Sequence, residues 1–250
     1  MERRRRGLRF TFAALRRNPA GVSIVETPSP NFNERHLPVS MIVLHYTGMQ
    51  SAEVALARLT DPAAEVSAHY LIDEDGTIHR LVAEDKRAWH AGQSHWRGIT
   101  DVNSASIGIE LVNPGHEFGY REFAPAQIEA LIPLLGEIKD RHEITRGNIV
   151  GHSDIAPTRK QDPGELFPWA QLARVRLALP RPTRNLMDPL WSDAGFLLAL
   201  ERFGYEVTDK LAAVVAFQRR FRPELIDGEI DGECRCLLLA LLLPKPQGDE

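Results

Sequence analysis

Met41-Ile42-Val43-Leu44 is an unbroken apolar run, the pattern of a strand buried on both faces. It predicts a central strand starting near Ser40 and ending at His45. Val66–Ile72 reads as another strand, and Asp75-Gly76 marks a tight turn into Thr77–Val82. Those two segments are expected to pair as a hairpin. In Ser106–Val112 the period is two: Ile107, Ile109 and Leu111 share one face, Ser106, Gly108 and Glu110 the other. Between Pro125 and His142 the period changes. Ile128, Leu131, Ile132, Leu135 and Ile138 recur at three- and four-residue spacings behind a starting proline, which predicts an amphipathic helix. Ile149-Val150 reads as a short strand. Strands interleaved with helices predict an α/β domain on a mixed central sheet.

Leu179-Pro180-Arg181-Pro182 breaks this pattern and reads as a linker. Three short helical patterns follow. Ser192 caps the first, which ends at Gly204; Thr208 caps the second, which runs to about Arg222; Asp231 caps the third, which ends before Pro244. The expected organisation is a basic arm over residues 1–25, an α/β domain over 26–178, a linker over 179–188 and a three-helix domain over 189–246. A unit of roughly 60 residues is near the lower size limit for independent folding.

Composition narrows the class. The 250 residues are 43% hydrophobic and 26% charged, as in an ordinary globular protein. A net charge of −4 gives no reason to expect nucleic acid or an anionic membrane as partner. Cys234 and Cys236 stand one residue apart and make no disulfide framework. Arg3–Arg6 form a basic cluster, yet Arg9, Arg16 and Arg17 interrupt the apolar stretch behind it, and an export signal needs roughly 7–15 apolar residues. No cysteine near the start offers a lipid anchor. Leu237–Leu243 falls far below the roughly 20 residues of a membrane helix. A monomer of the cytoplasm, without membrane insertion, is the expectation, with the periplasm as the alternative.

The segment Gly151–Gly164 carries the chemistry. Pro157 and Pro163 oppose a continuous helix, so the segment is expected to be an ordered loop. Its His152 and Asp162 are candidate zinc ligands, and His45 supplies a third. Three N/O ligands that leave a fourth position open are the arrangement of a catalytic zinc. A lone histidine at a strand end is as readily a hydrogen-bonded core residue, and the shared loop tips the balance. Glu110 is either a solvated carboxylate on a strand edge or the base of a hydrolase. Lys160 is either a solvated loop lysine or the group that meets a developing oxyanion, because a lysine beside a divalent cation is repelled unless an anion lies between.

Taken together, Val43-Leu44-His45-Tyr46-Thr47, Val66-Ser67-Ala68-His69-Tyr70, Trp89-His90-Ala91-Gly92, Asn103–Glu110 and His152–Asp162 resemble the zinc N-acetylmuramoyl-L-alanine amidases of the type 2 family, with the muropeptide amidases nearest. The resemblance covers roughly residues 38–172. It implies a mixed sheet flanked by helices, as in peptidoglycan-recognition proteins, and a C-terminal peptidoglycan-binding-like helical domain. It further implies that His45, His152 and Asp162 hold Zn2+, that Glu110 is the general base and acid, and that Lys160 stabilises the oxyanion. Peptidoglycan fragments are the implied partner. Tyr46, His69, Trp89, His90 and Asn103 are implied contacts to substrate. Trp89 can equally anchor a loop, Asn103 can cap the turn before the Glu110 strand, and His69 can be structural.

Two rivals come from other classes. A non-catalytic peptidoglycan-recognition module keeps the fold but loses a zinc ligand, and here all three are present. A serine or cysteine hydrolase needs a nucleophile elbow or a paired base, and neither appears.

Overall fold

A computed structural model describes residues 16–17, 23–184 and 186–243. Most of the basic arm expected over residues 1–25, and the Pro244 stop, lie outside the described residues. In chain order the first elements are β1 (Arg16–Arg17), β2 (Ser23–Glu26), β3 (Phe32–Glu34), β4 (Met41–Tyr46), α1 (Ala52–Thr60), β5 (Tyr70–Ile72), β6 (Ile78–Arg80) and β7 (Lys86–Ala88). Then come α2 (Val102–Ala105), β8 (Ser106–Leu111), α3 (Gly115–Phe118), α4 (Pro125–Arg141), β9 (Ile149–Gly151), α5 (His152–Ile155) and α6 (Trp169–Arg174). The last three are α7 (Asp193–Phe203), α8 (Lys210–Phe221) and α9 (Gly232–Leu242).

Among the described residues a seven-stranded mixed sheet runs in the order β1-β2-β6-β5-β8-β4-β9. Its centre, β5-β8-β4-β9, is parallel, with His45 level with Glu110 and Leu44 level with Gly151. Parallel sheets are covered on both faces, which is why β4 reads as a continuous apolar run. Alternation divides it. Ile42 and Leu44, with Ile107 and Ile109 of β8, pack against Leu131, Leu135 and Ile138 of α4. Met41 and Val43 point the other way, toward Trp96 and toward Phe196, Phe203, Phe217 and Phe221 of the C-terminal helices. By the same period of two, His45 belongs to the Met41–Val43 face and Glu110 to the Ser106–Gly108 face, so both emerge on one side of the sheet.

The three C-terminal helices therefore share a core with the sheet. The Arg97 N–H donates to the Gly204 carbonyl (3.0 Å), and the Arg97 Nε to Phe203 O (3.0 Å). Tyr205 Oη donates to the buried Asp154 carboxylate at 2.5 Å, and the same carboxylate accepts from the Gly151 N–H at 2.8 Å. Arg220 lies over the Trp169 ring, 3.1 Å from its centroid. A hydrogen bond to a charged group is worth about 1.5–3 kcal/mol. Tyr205→Phe is expected to lower unfolding stability by about that much in a denaturant titration; an unmoved midpoint would deny the bond any contribution.

Elsewhere the fold departs from the sequence reading in local ways. The strand expected from Val66 begins at Tyr70, because Ser67 turns its hydroxyl to the Asn31 carbonyl and receives the Trp89 N–H. Helix α1 was not anticipated, although Ser51 accepts from the Val54 N–H as its cap. Asp209, not Thr208, caps α8, its carboxylate accepting from the Ala212 N–H, while Thr208 bonds Glu206. No described helix is long and apolar enough to cross a membrane.

Candidate active site

The site stands at the C-terminal ends of β4, β8 and β9, where an open α/β sheet presents ligands. His45 closes β4, Glu110 lies beside it on β8, and His152 follows β9 directly. Asp162 arrives from the far end of the loop. The Ser153 N–H donates to the Asp162 carbonyl at 2.8 Å and so clamps that loop shut beside His152. Gly151 permits the approach: a Cβ there would lie 2.7 Å from the Pro163 ring. The segment is the ordered loop the prolines predict, with the single turn α5 at its start.

His45 Nδ1, His152 Nδ1 and Asp162 Oδ2 form a triangle with edges of 2.9, 3.0 and 3.0 Å, and all three residues are buried. These are the three donors of a group able to hold a metal ion. Hydrogen bonding alone does not account for them. His152 Nε2 sits 3.1 Å from the Ala91 carbonyl, which only accepts, so Nε2 carries the ring proton and Nδ1 turns a lone pair toward Asp162. Two acceptors facing each other at 3.0 Å repel unless a cation lies between them. Burial, then the neighbouring His152, pulls His45 down to about 4, so its ring is neutral and free to ligate.

Glu110 and Lys160 line the same cavity of about 360 Å³, together with Tyr46, Trp89, Arg159 and Gln161. The Glu110 Oε2 is shielded from solvent and has no hydrogen-bond partner among the described residues. Burial, then the Asp162 charge, push its carboxyl well above the usual range, while Lys160 opposes the shift. A carboxylate so placed is poised to take up a proton, not to bind a structural partner.

Residues 35–165 match the family Amidase_2, N-acetylmuramoyl-L-alanine amidase. The chain belongs to this family. It is 41% identical to the N-acetylmuramoyl-L-alanine amidase AmiD of Escherichia coli (strain K12), over 82% of each chain. Its fold is similar to a solved complex of Escherichia coli AmiD with anhydro-N-acetylmuramic acid-L-Ala-D-γ-Glu-L-Lys: TM-score 0.74, 36% identity, 85% of this chain and 97% of that one. It is also similar to AmpDH3 of Pseudomonas aeruginosa in complex with an anhydromuramic pentapeptide: TM-score 0.74, 34% identity, 81% of this chain and 90% of that one.

Within the family frame, the residues expected to touch substrate divide. Tyr46 and Trp89 line the cavity, and Trp89 also anchors its loop through Nε1 to Asn33 Oδ1 at 3.0 Å. Tyr46 Oη meets His116 at 2.9 Å, and His116 meets Glu165 at 3.2 Å, a chain that braces the cavity wall. His69 and Asn103 do not line the cavity. His69 is fully buried, its Nδ1 accepting from the Gly108 N–H at 2.9 Å. Asn103 Oδ1 accepts from the His90 and Ala91 N–H groups at 3.0 and 2.7 Å, so it shapes the loop whose carbonyl orients His152. Asp101, not Asn103, caps the turn before the Glu110 strand. His90 reaches the cavity edge but is 8% exposed with both ring nitrogens engaged, which leaves it no free polar atom for a ligand. Sequence reasoning did not single out Arg58, Ser67, Arg159 and Gln161, which also line the cavity; the last three lie within the quoted motifs, but nothing in their spacing says that they face it.

Proposed function

We propose that this protein is a zinc-dependent amidase. It hydrolyses the amide between the lactyl group of N-acetylmuramic acid, or its 1,6-anhydro form, and the L-alanine of the stem peptide. Peptidoglycan fragments are its substrates, and their turnover and recycling its role. One observation carries the reading: three convergent buried donors and an unpartnered carboxyl share a cavity on the amidase scaffold.

The donor set fits zinc. With bonds of 2.0–2.1 Å, the ligand atoms of a tetrahedral zinc stand roughly 3.3 Å apart, close to the 2.9–3.0 Å edges here. His45, His152 and Asp162 would hold it. Zinc, when bound, supplies Lewis acidity and makes water a nucleophile near neutral pH. Glu110 takes the proton of the attacking water and returns it to the L-alanine nitrogen, which is otherwise a poor leaving group. Lys160 offers a positive charge to the oxyanion of the tetrahedral intermediate. Tyr46 and Trp89 form walls for the sugar or peptide.

The purified protein is expected to hold one zinc per chain and to lose activity on chelation. Elemental analysis decides the first point; mass spectrometry of products from a defined anhydro-muropeptide decides the second. A metal-free chain with intact turnover would overturn the reading. The division into residues 26–178 and 189–246 is proposed as one of labour, with chemistry in the first and wall contact in the second. A monomer is the proposed state, checked by the mass of the protein in solution. The cytoplasm is the proposed compartment, with the periplasm as the alternative; fractionation of the host decides between them, and a processed chain found in the periplasm would reverse the proposal.

A further inference from the structure

The orientation of His45 is fixed by a chain of hydrogen bonds that ends in the backbone. Ser106 Oγ lies 2.6 Å from the Val102 carbonyl, which only accepts, so the single hydroxyl proton is spent there. Toward His90 Nε2, 3.2 Å away, the same oxygen can therefore only accept. His90 must carry its proton on Nε2. A second ring proton would put a buried cation against His45, beside the ligand group, and the low-dielectric surroundings oppose that. His90 Nδ1 is then a lone pair, and His45 Nε2, 3.0 Å from it, must be the donor. What remains is His45 Nδ1, an unprotonated nitrogen aimed at His152 Nδ1 and Asp162 Oδ2.

Gly108 makes the chain possible. The imidazole of His90 lies against this residue, and a Cβ there would come within 2.4 Å of the ring, closer than atoms pack. Ser106 and Gly108 are neighbours on one face of β8, the face that also carries Glu110. Asn103 holds the backbone of His90 and Ala91 from the other side. Nothing in this assembly touches the reacting atoms.

We propose that His90, held by Ser106 over Gly108, is a positioning residue that sets the tautomer of His45 and so tunes metal affinity. The proposal rests on the metal reading of the His45, His152 and Asp162 group. A histidine ligand whose other nitrogen loses its partner typically binds its metal 10–100-fold more weakly.

The test is zinc affinity of the full chain, by competition with a fluorescent chelator, with thermal unfolding of the zinc-free protein alongside. His90→Phe keeps a ring but removes the acceptor, and is expected to weaken zinc binding by about 10–100-fold. His90→Asn retains an acceptor oxygen near the Nδ1 position and is expected to stay within a few-fold of wild type. Ser106→Ala frees His90 to change tautomer and should fall between them; it also decides the matter if His90→Phe does not fold. Nitrogen-15 spectra of labelled histidines supply an independent readout, with His90 expected as the Nε2–H tautomer. Wild-type affinity in both His90→Phe and Ser106→Ala, equal losses in His90→Phe and His90→Asn, or an Nδ1–H tautomer at His90 would overturn the proposal. A wild-type chain that binds no zinc would instead overturn the metal reading itself.

Discussion

Glu110→Gln is expected to lower turnover by about 10²–10⁴-fold, the usual contribution of a general acid–base group, with zinc still bound. Glutamine keeps the shape and half the polar atoms of the side chain but cannot carry the proton. The ligand triangle is built from His45, His152 and Asp162 alone, so it survives the change. Glu110 Oε2 has no partner among the described residues, so no hydrogen-bond network there collapses with it. Burial beside Asp162, which raises its proton affinity, suits a base that must hold a proton between two steps. Steady-state kinetics on an anhydro-muropeptide, paired with elemental analysis, reads both quantities. Lys160→Met should likewise spare the metal and slow the reaction. Zinc lost from the glutamine variant, or kcat within a few-fold of wild type, would show the role misassigned.

Much of this site was legible because its residues break a local pattern. His45 ends an apolar run, Glu110 stands on a strand that is otherwise apolar or small, and two prolines fence the loop from His152 to Asp162. Each is a polar group that local structure alone does not require. The residues that stayed hidden obey their local patterns. Ser106 and Gly108 are ordinary small residues of a strand, and only the ring lying on them in three dimensions gives them a role. Asn103 and His69 share motifs with the residues that line the cavity, yet their side chains turn to backbone N–H groups. Spacing along a chain does not report which way a side chain faces inside a loop.

The place of the tail is harder to read from the sequence for a related reason. Pro180 and Pro182 read as a boundary, and amphipathic stripes on three helices say that they need a partner without naming it. The clue lay in β4. A strand apolar on both faces needs two covers, and the chain before the linker offers one long amphipathic helix, α4. The second cover had to come from beyond the linker.

Removal of residues 186–250 is accordingly expected to leave no stably folded fragment. Met41, Val43, Trp96 and Val150 are each at most 3% exposed, and they share a cluster with Phe196, Leu200, Phe217 and Leu238 of the tail. Burying one such side chain is worth about 1.5–3 kcal/mol, so uncovering these four forfeits a sum comparable to a domain's whole net stability of about 5–15 kcal/mol. Polar losses add to it. Asp154, two residues beyond His152, would lose Tyr205 and the nearby Arg220, leaving a buried carboxylate with only the Gly151 N–H. The ligand loop is thus tied to the tail through its own first turn. Circular dichroism and chemical unfolding of the 1–185 fragment, with zinc titration, measure the outcome. A soluble fragment that unfolds cooperatively and binds zinc as tightly as the full chain would mean that α4 and the sheet suffice, and that the shared core is a docking contact between two independently folding units.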